Sequence, residues 1–577
     1  MKTTLLTALA VAVLASQAQF VMGAPVSTQN KQAPRNADTV INNSIEHAHE
    51  HTRVNARTSP RLPQTSTAHQ MSLSQSGPTT IAAVCDLAAF ESASGSSLTS
   101  LVKSSTVACL NDLYSVSGSR ARNIFMESKM SSIAYALRDN SVNYPGNNST
   151  NTLQLVTFMR AGYYVQFYNA ADVGTYGPTL KTAIQSGLDS FFGNGNSMAV
   201  NDANGEVLSE VVTLVDSSTE NARYLSKMKD ILNRFDNSWL ASWYMRNAGN
   251  NVFTVMFRGH QNADFKALVQ SDNSIVDTLY NFYNRWTSLL PTENDFLPAN
   301  AAREMARFLQ YTGTLKSLAS ARSRTAITQS SIQGDTAPIW VGIADMVDYY
   351  DKANCSYYGV CDYKTRINNE VLVVTHTCNS ALRIRGQEIT SSQLSSMCAD
   401  LATSTSRFHT MLETNYTPVA GDLNAVLELV VWNSSKDYGT YAGALYGIDT
   451  NNGGMYLEGS PTVPGNQARF IAYEAEWLRP TFKVWNLEHE GNHYLDGRFD
   501  MQGDFGTYLT ANTIWWIEGM AEYVAFVNNN PTAVNALKNA AHVPLSTVFR
   551  NTYSSGTDRV YPVSYTHLRA HETVLDL

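Results

Sequence analysis

The sequence has 577 residues, of which 44% are hydrophobic and 16% charged, and its formal net charge is −8. This is the composition of a globular protein, and the length favours two large domains over one. Nucleic acid and anionic membrane surfaces both attract basic proteins, so the acidic balance argues against either as the main partner.

The N-terminus is the first predicted element. MKTTLLTALAVAVLASQAQFVMGA carries one basic residue, a short apolar run and small residues at its end, which is typical of a secretory signal peptide over residues 1–23. The apolar run Leu5–Ala15 is shorter than the roughly 20 residues of a membrane span, and no later run is long enough. We therefore expect a secreted, extracellular protein.

Residues 24–75 form a second N-terminal segment, rich in Ser, Thr, Asn, Gln and Pro. Without a periodic apolar face, such a segment predicts a pro-segment or linker rather than a core, as in a zymogen. It contains three closely spaced histidines, His47, His49 and His51. In a solvated segment this pattern is typical of an incidental polar cluster, and we leave it out of the site.

Six cysteines stand at positions 85, 109, 355, 361, 378 and 398, and none forms a CxxC pair. An even number in an exported protein favours disulfides over metal thiolates. Sequential pairing would close short local loops, and the other connectivities that six cysteines allow stay open.

Between residues 76 and 355 one helix-like pattern follows another. Apolar residues recur at spacings of three and four in TLQLVTFMRAGYYVQFYN, NARYLSKMKDILNRFD and DNSIVDTLYNFYNRW, and strand-like alternation is scarce. These helices, joined by short Asn, Gly and Ser loops, predict an all-α, helical-repeat-like domain, although no fixed sequence repeat accompanies them.

From residue 356 to 561 the pattern becomes mixed. EVLVVTHTC, LELVVWN, GGMYLEG and ARFIAYEAEW are short, rich in β-branched or aromatic residues and bounded by turn residues, as strands are. FKVWNLEHEGNHYLDG and TIWWIEGMAEYVAFV are typical of helices. This region predicts an α+β domain.

The first of those helices carries an HExxH motif at His489, Glu490 and His493. At 3.6 residues per turn the two histidines share one helical face, where neutral imidazoles can bind one zinc ion. Glu490 beside them can then act as general base toward the zinc-activated water. The competing interpretation is a pair of surface histidines on an amphipathic helix.

A catalytic zinc usually takes a third protein ligand. HExxHxxGxxH would place a histidine at position 499, which is Phe499 here, so a carboxylate has to serve. In WWIEGMAEY, Glu518 and Glu522 lie one helical turn apart. We assign Glu518 to the metal and Glu522 to the orientation of a ligating imidazole, a common role for such carboxylates.

HEGNHYLDGRF followed by WIEGMAE resembles the zinc site of the microbial, Vibrio-type collagenases of peptidase family M9. The resemblance covers roughly residues 80–561. NNGGMYLEG is similar to the double-glycine edge strand of this family, with Gly453 and Gly454 lining the substrate cleft and Glu458 at the position of a calcium ligand.

The resemblance implies a helical activator domain followed by a thermolysin-like (gluzincin) peptidase domain. It also implies one catalytic Zn2+, a Ca2+ ion, and a monomeric metalloendopeptidase that cuts collagen or gelatin on the N-terminal side of Gly in Gly-X-Y repeats. A general thermolysin-like protease or an aminopeptidase is the alternative among enzymes. A collagen-binding protein without catalysis is the alternative outside them.

Two features depart from the family pattern. Gly491 stands where many relatives have a bulky residue, so it is explained either by the close approach of a strand or of substrate, or by a tolerated substitution. PVSYTHLRAHETVLDL, residues 562–577, resembles translated adapter sequence, so we expect a non-native tail and a peptidase domain truncated near residue 561. We then expect a zinc site that assembles in a chain that is weakly active or inactive.

Overall fold

The computed structural model describes residues 85–448, 450, 453–537, 543–556 and 559–575. The predicted signal peptide and pro-segment lie outside these residues. The described chain divides into a helical unit, residues 85–331 with 338–361, and a mixed unit, residues 332–337 with 362–575. The sequence placed the domain boundary after residue 355.

The helical unit contains helices and turns but no strand within the described residues. Its helices bury apolar stripes at the predicted spacing; in the helix Leu225–Arg234, for example, Leu225, Met228, Ile231 and Leu232 are buried. The α-helices of this part of the chain are Leu87–Ser92, Gly95–Ser104, Val107–Asp112, Gly118–Phe125, Glu127–Val142, Thr152–Tyr168, Ala170–Val173, Pro178–Gly193, Asp202–Ser217, Leu225–Arg234, Asn237–Ala241, Trp243–Gly259, Ala263–Ser271, Ser274–Arg285, Phe296–Arg307, Gly313–Thr328, Ala337–Tyr350 and Cys355–Tyr358.

The mixed unit is built on one five-stranded sheet with the order β1-β2-β3-β5-β4. The strands are β1 (Val374–Asn379), β2 (Leu382–Gly386), β3 (Leu427–Trp432), β4 (Met455–Leu457) and β5 (Arg469–Tyr473). The β2, β3 and β5 strands run parallel, while β1 and β4 pair antiparallel at the two edges. The edge strand β4 therefore has one side that no other strand of this sheet covers.

Helices cover the sheet and provide the site. Those of this unit are Tyr363–Arg366, Ser391–Met411, Ser435–Asp437, Gly443–Tyr446, Leu487–Phe499, Phe505–Thr510, Ile514–Phe526, Pro531–Leu537, Leu545–Val548 and Ser564–Leu575. Apolar side chains of β2, β3 and β5 pack with the helices Ser391–Met411, Leu487–Phe499 and Ile514–Phe526 in one core. The three helices are thereby held beside one another.

Two strand predictions need correction. The segment EVLVVTHTC becomes a strand only at Val374, because Ile367–Val371 forms a π-helical turn. The β2 strand was missed, since LRIRG is short and two of its five residues are charged. Its arginines lie on the face opposite the core, where Arg383 binds Glu428 and Arg385 binds Asn368.

The six cysteines form three disulfides, Cys85–Cys109, Cys355–Cys361 and Cys378–Cys398, which confirms the sequential pairing. Within the part of the chain that the structure describes, no helix combines the length and the apolarity that crossing a membrane requires.

Candidate metal and active site

The site helix, Leu487–Phe499, carries the HExxH motif. It begins after Asn486, whose left-handed backbone (φ 55°) turns the chain out of the preceding segment. The side chains of His489, Glu490 and His493 are 3%, 0% and 4% exposed. The surface interpretation of the two histidines is therefore wrong, since both rings lie inside the mixed unit.

Two neighbouring residues of the site helix fix its distance to the helices beside it. The Asn492 amide accepts a hydrogen bond from Ser404 Oγ at 2.9 Å and donates one to the Ala521 carbonyl at 3.2 Å, so it links all three helices. A Cβ atom on Gly491 would lie 2.8 Å from Leu401 Cδ2. The close neighbour at Gly491 is thus a helix side chain, not the strand or substrate that the sequence suggested.

Three donor atoms meet where the site helix passes the helix Ile514–Phe526, which we call the glutamate helix. His489 Nε2 lies 3.2 Å from Glu518 Oε2 and 3.0 Å from His493 Nε2. His493 Nε2 lies 3.5 Å from Glu518 Oε2, so the three atoms form a nearly equilateral triangle. Zinc bonds of about 2.0–2.1 Å in tetrahedral geometry need donor atoms about 3.3 Å apart. Two imidazoles and a carboxylate at these distances fit a zinc ion.

Glu522 lies behind this triangle, on the same helix as Glu518. Its Oε1 is 3.1 Å from His489 Nδ1, so the two carboxylates contact opposite nitrogens of one ring. Burial lowers the pKa of His489, but the hydrogen bonds and charges of Glu518 and Glu522 outweigh it and raise the pKa to about 10. The site thus strongly favours positive charge at its centre, as a metal site does.

Glu490 faces the edge of the sheet. Its Oε2 accepts a hydrogen bond from the backbone N–H of Tyr456 in β4 at 3.2 Å. The two glycines before β4 allow this approach: a Cβ on Gly453 would lie 2.6 Å from Trp485 Nε1, and Gly454 has φ +137°. The structure therefore brings the predicted base and the predicted edge strand together.

Glu458 follows β4 and lines a cavity of about 290 Å3 that reaches His493. Burial and the charges of Asp504 and Asp422 raise the pKa of Glu458 to about 7. A hydrogen bond from the backbone of Phe505 acts in the opposite direction and lowers it. Asp422 is paired with Arg498, whereas Glu458, Asp496 and Asp504 line the cavity, and oxygen ligands of this kind suit calcium.

Sequence reasoning missed two tyrosines of the site. The Tyr553 hydroxyl donates a hydrogen bond to Glu518 Oε1 at 2.7 Å, and the ring of Tyr561 lies 6.0 Å from that of His489. Both come from the described residues 543–556 and 559–563, whose short helical segments, such as Leu545–Val548, show no apolar periodicity. No motif marks them, so only the folded chain identifies them.

The predicted tail contributes a helix, Ser564–Leu575. It packs against the glutamate helix, where a Cβ on Gly519 would lie 2.8 Å from Ser564 Cβ. The Nε2 atom of His567 lies 2.9 Å from the Val543 carbonyl.

Comparison with known families places both units in one family. A model described as "Peptidase family M9 N-terminal" matches residues 85–267, and a model described as "Collagenase" matches residues 326–571. The second match includes residues 562–571 of the segment that the sequence analysis assigned to a non-native tail. That assignment stays a prediction.

Curated relatives agree with these matches. A "Microbial collagenase" of Vibrio alginolyticus is 35% identical over 558 residues, which cover 96% of this chain and 67% of the relative. Those of Vibrio vulnificus and Vibrio parahaemolyticus are 28% and 27% identical, over 84% and 80% of this chain and 60% and 57% of their own. The chain thus spans about two thirds of the first relative and less of the other two. On these matches, the chain belongs to the collagenases of peptidase family M9.

Proposed function

We propose that the chain is a secreted zinc metalloendopeptidase that hydrolyses collagen or gelatin on the N-terminal side of Gly in Gly-X-Y repeats. The observation that carries the proposal is the buried triangle of His489 Nε2, His493 Nε2 and Glu518 Oε2, with Glu490 next in sequence to the first ligand. The relatives are named collagenases, which supports collagen as the substrate. Three disulfides support an oxidising, extracellular setting.

Glu490 supplies the proton transfers of the proposed reaction. Its carboxylate takes a proton from the attacking water and later delivers it to the leaving amine. Zinc, when bound by the two histidines and Glu518, supplies a Lewis acid that polarises the scissile carbonyl and lowers the pKa of water. Because Glu490 is 0% exposed, its charge acts at low local dielectric.

The open side of β4 is the proposed substrate edge. An extended peptide can add to it as a further strand, with main-chain hydrogen bonds setting its direction. The N–H of Tyr456 contacts Glu490, so a peptide on this edge lies beside the general base. Gly453 and Gly454 keep the start of this edge free of side chains.

Three finer statements complete the proposal. The mixed unit is thermolysin-like, since its HExxH helix pairs with a second helix that carries a glutamate ligand. Glu458 is a ligand of a calcium ion at the cavity beside His493. Glu522 orients His489 through its Nδ1 atom.

The test is hydrolysis of a Gly-Pro-rich collagen-like peptide by the full chain, compared with Glu490→Gln. We expect the variant to lose roughly 10²–10⁴-fold in kcat, the usual contribution of general acid–base catalysis, while its zinc content stays near one per chain. Glu488→Gln is the matched control, because this half-buried carboxylate lies on the same helix outside the donor triangle. It should retain wild-type activity.

Substrate choice separates the alternatives. Faster cleavage of casein than of the collagen-like peptide would favour a general protease, and release of single residues from amino-acid amides would favour an aminopeptidase. Collagen binding that chelators do not affect, without hydrolysis or bound zinc, would overturn the enzymatic proposal.

A further inference from the structure

Asn530 lies between the glutamate helix and the helix Pro531–Leu537, and its side chain contacts both. Although polar, it is only 2% exposed. Its Nδ2 donates a hydrogen bond to Glu522 Oε2 at 2.7 Å, and its Oδ1 accepts one from the Ala533 backbone N–H at 2.9 Å. Each end of this amide therefore has a different task.

The oxygen of the amide caps the following helix. A side-chain oxygen just before a helix that accepts the N–H three residues later has N-cap geometry, and Asn, Asp and Ser serve almost equally well there. This task requires only an acceptor. It does not explain why the other end of the side chain reaches a carboxylate.

The nitrogen of the amide holds one oxygen of Glu522. The other oxygen of that carboxylate is 3.1 Å from His489 Nδ1, and His489 Nε2 is the atom that faces His493 and Glu518. A hydrogen bond to an ionised acceptor is stronger than one between neutral groups. The contacts thus run from Asn530 through Glu522 to the donor atom of His489.

A neutral amide suits this position for an electrostatic reason. A lysine or arginine would neutralise Glu522 and weaken its hold on the His489 ring, whereas an amide fixes the carboxylate and leaves its charge in place. With one oxygen held by Asn530, the carboxylate plane cannot turn without breaking a buried hydrogen bond.

We propose that Asn530 is a positioning residue of the metal site, which orients Glu522 and through it the His489 imidazole. The inference rests on the proposed function, because it takes the donor triangle to be a zinc site. It adds a residue from outside the HExxH and EGMAE motifs.

The two tasks of Asn530 can be separated by substitution. Asn530→Asp keeps an oxygen for the helix cap but replaces the donor with an anion beside Glu522. Asn530→Ser also keeps a capping oxygen, and its shorter side chain withdraws the donor. Thr390→Ala is the matched control, since it removes an N-cap from the helix Ser391–Met411 of the same unit, away from the donor triangle.

The measurement is zinc affinity of the full chain at pH 8, by competition with a chromophoric chelator, together with the unfolding midpoint of the metal-free protein. We expect Asn530→Asp to bind zinc about tenfold more weakly, the lower end of the loss for a direct partner of a ligating histidine, and Asn530→Ser to lose about threefold. Thr390→Ala should lower the midpoint and leave zinc affinity unchanged.

A double substitution tests the route of the effect. In the Glu522→Ala background, Asn530→Ser should cause no further loss of zinc affinity, because the residue through which it acts is gone. An equal loss in both backgrounds would overturn the proposal. Asn530→Ser also decides the matter if Asn530→Asp does not fold.

The remaining outcomes are distinct from one another. If the wild-type chain binds zinc and both folded Asn530 variants match its affinity, this inference alone is wrong. If the wild-type chain binds no zinc, the proposed function fails and the inference fails with it.

Discussion

The carboxylate of Glu518 has its two oxygens in different surroundings. Oε2 faces the two histidines, while Oε1 accepts the hydroxyl of Tyr553 at 2.7 Å. A hydrogen bond to a charged group contributes about 1.5–3 kcal/mol, so Tyr553→Phe should weaken zinc binding roughly tenfold or more. The measurement is zinc affinity by chelator competition.

Tyr494→Phe serves as the control for that experiment. It also removes a buried hydroxyl, one that donates to the Asn424 carbonyl at 2.9 Å from the site helix itself. Equal losses of zinc affinity in the two variants would show that Tyr553 has no particular role toward Glu518.

A second residue-scale prediction concerns His260 in the helical unit. Its ring is 6% exposed, packs on Phe308 and has Nδ1 2.8 Å from the Tyr311 hydroxyl. Burial, with the positive charges of Arg307 and Lys266, holds the pKa of His260 well below its usual range. The ring is therefore neutral in the folded chain at pH values where the unfolded chain protonates it.

The stability that neutral His260 contributes is present above pH 6.5 and is lost as the pH falls below that value, since only the unfolded state then takes up the proton. We expect the unfolding midpoint of the wild-type chain to fall more between pH 7.5 and pH 5 than that of His260→Gln. Thermal unfolding at both pH values measures the difference. Parallel curves would contradict it.

At the scale of elements, two glycines set how closely helices pass. A Cβ on Gly519 would lie 2.9 Å from the backbone C of Ser564. That atom can move only if the helix Ser564–Leu575 moves with it. A Cβ on Gly491 would meet only the far end of the Leu401 side chain, at 2.8 Å. Glycine in a helix costs about 1 kcal/mol relative to alanine, so replacing either glycine by alanine also stabilises its helix by that amount.

At Gly519 the usual cost of overpacking, about 1–3 kcal/mol, outweighs this gain, so Gly519→Ala should lower the free energy of unfolding by up to about 2 kcal/mol. Gly491→Ala should change it by less than about 1 kcal/mol, because the side chain of Leu401 can adjust and the helix propensity improves. Urea unfolding of the two variants is the measurement. Equal costs would mean that the backbone of the helix Ser564–Leu575 does not limit the approach.

The elements of the site differ in how far the sequence could predict them. The spacing of His489 and His493 follows from helical geometry alone, and the glutamate helix is a continuous apolar pattern around Glu518. The start of the site helix was predicted too early, because the apolar residues of FKVW continue its pattern although the helix begins at Leu487. The left-handed backbone of Asn486 sets the start of the helix, although the apolar pattern extends further toward the N-terminus.

Tertiary contacts without a sequence period could not be predicted. Tyr553 and Asn530 reach Glu518 and Glu522 from turns, and nothing local distinguishes them from other polar residues of loops. The strand β2 was missed for a related reason, since its charged side chains are compensated by residues outside the strand, among them Glu428 on β3 and Asn368.

At the scale of the whole molecule, the change from helical to mixed patterning predicted two differently built parts, because helix and strand periods are each set by local geometry. The exact division depends on packing: residues 332–337 precede the last helices of the helical unit yet belong to the mixed unit. The Tyr441 hydroxyl holds this segment by donating to the Ile332 carbonyl at 2.8 Å. A contact over that sequence distance leaves no local signal.

Metal binding should couple to stability in the mixed unit, which contains the whole donor triangle. A ligand that binds only the folded state stabilises it by RT ln(1 + [L]/Kd), about 4 kcal/mol at a thousandfold excess over Kd. Removal of zinc by a chelator should then lower the unfolding midpoint by on the order of ten degrees. Scanning calorimetry of the full chain, before and after zinc is restored, measures the shift.

Glu518→Ala decides whether that shift comes from the proposed site. It leaves both histidines but removes the third donor and the acceptor of Tyr553, so the chelator should cause little or no change in its midpoint. Asp504→Asn is the matched control, because Asp504 contributes to the charge around Glu458 and not to the donor triangle, and asparagine keeps the cap of the helix Phe505–Thr510. The chelator should still lower its midpoint. If zinc stabilised Glu518→Ala as much as the wild-type chain, the stabilising ion would have to bind elsewhere, and the assignment of Glu518 to the metal would be wrong.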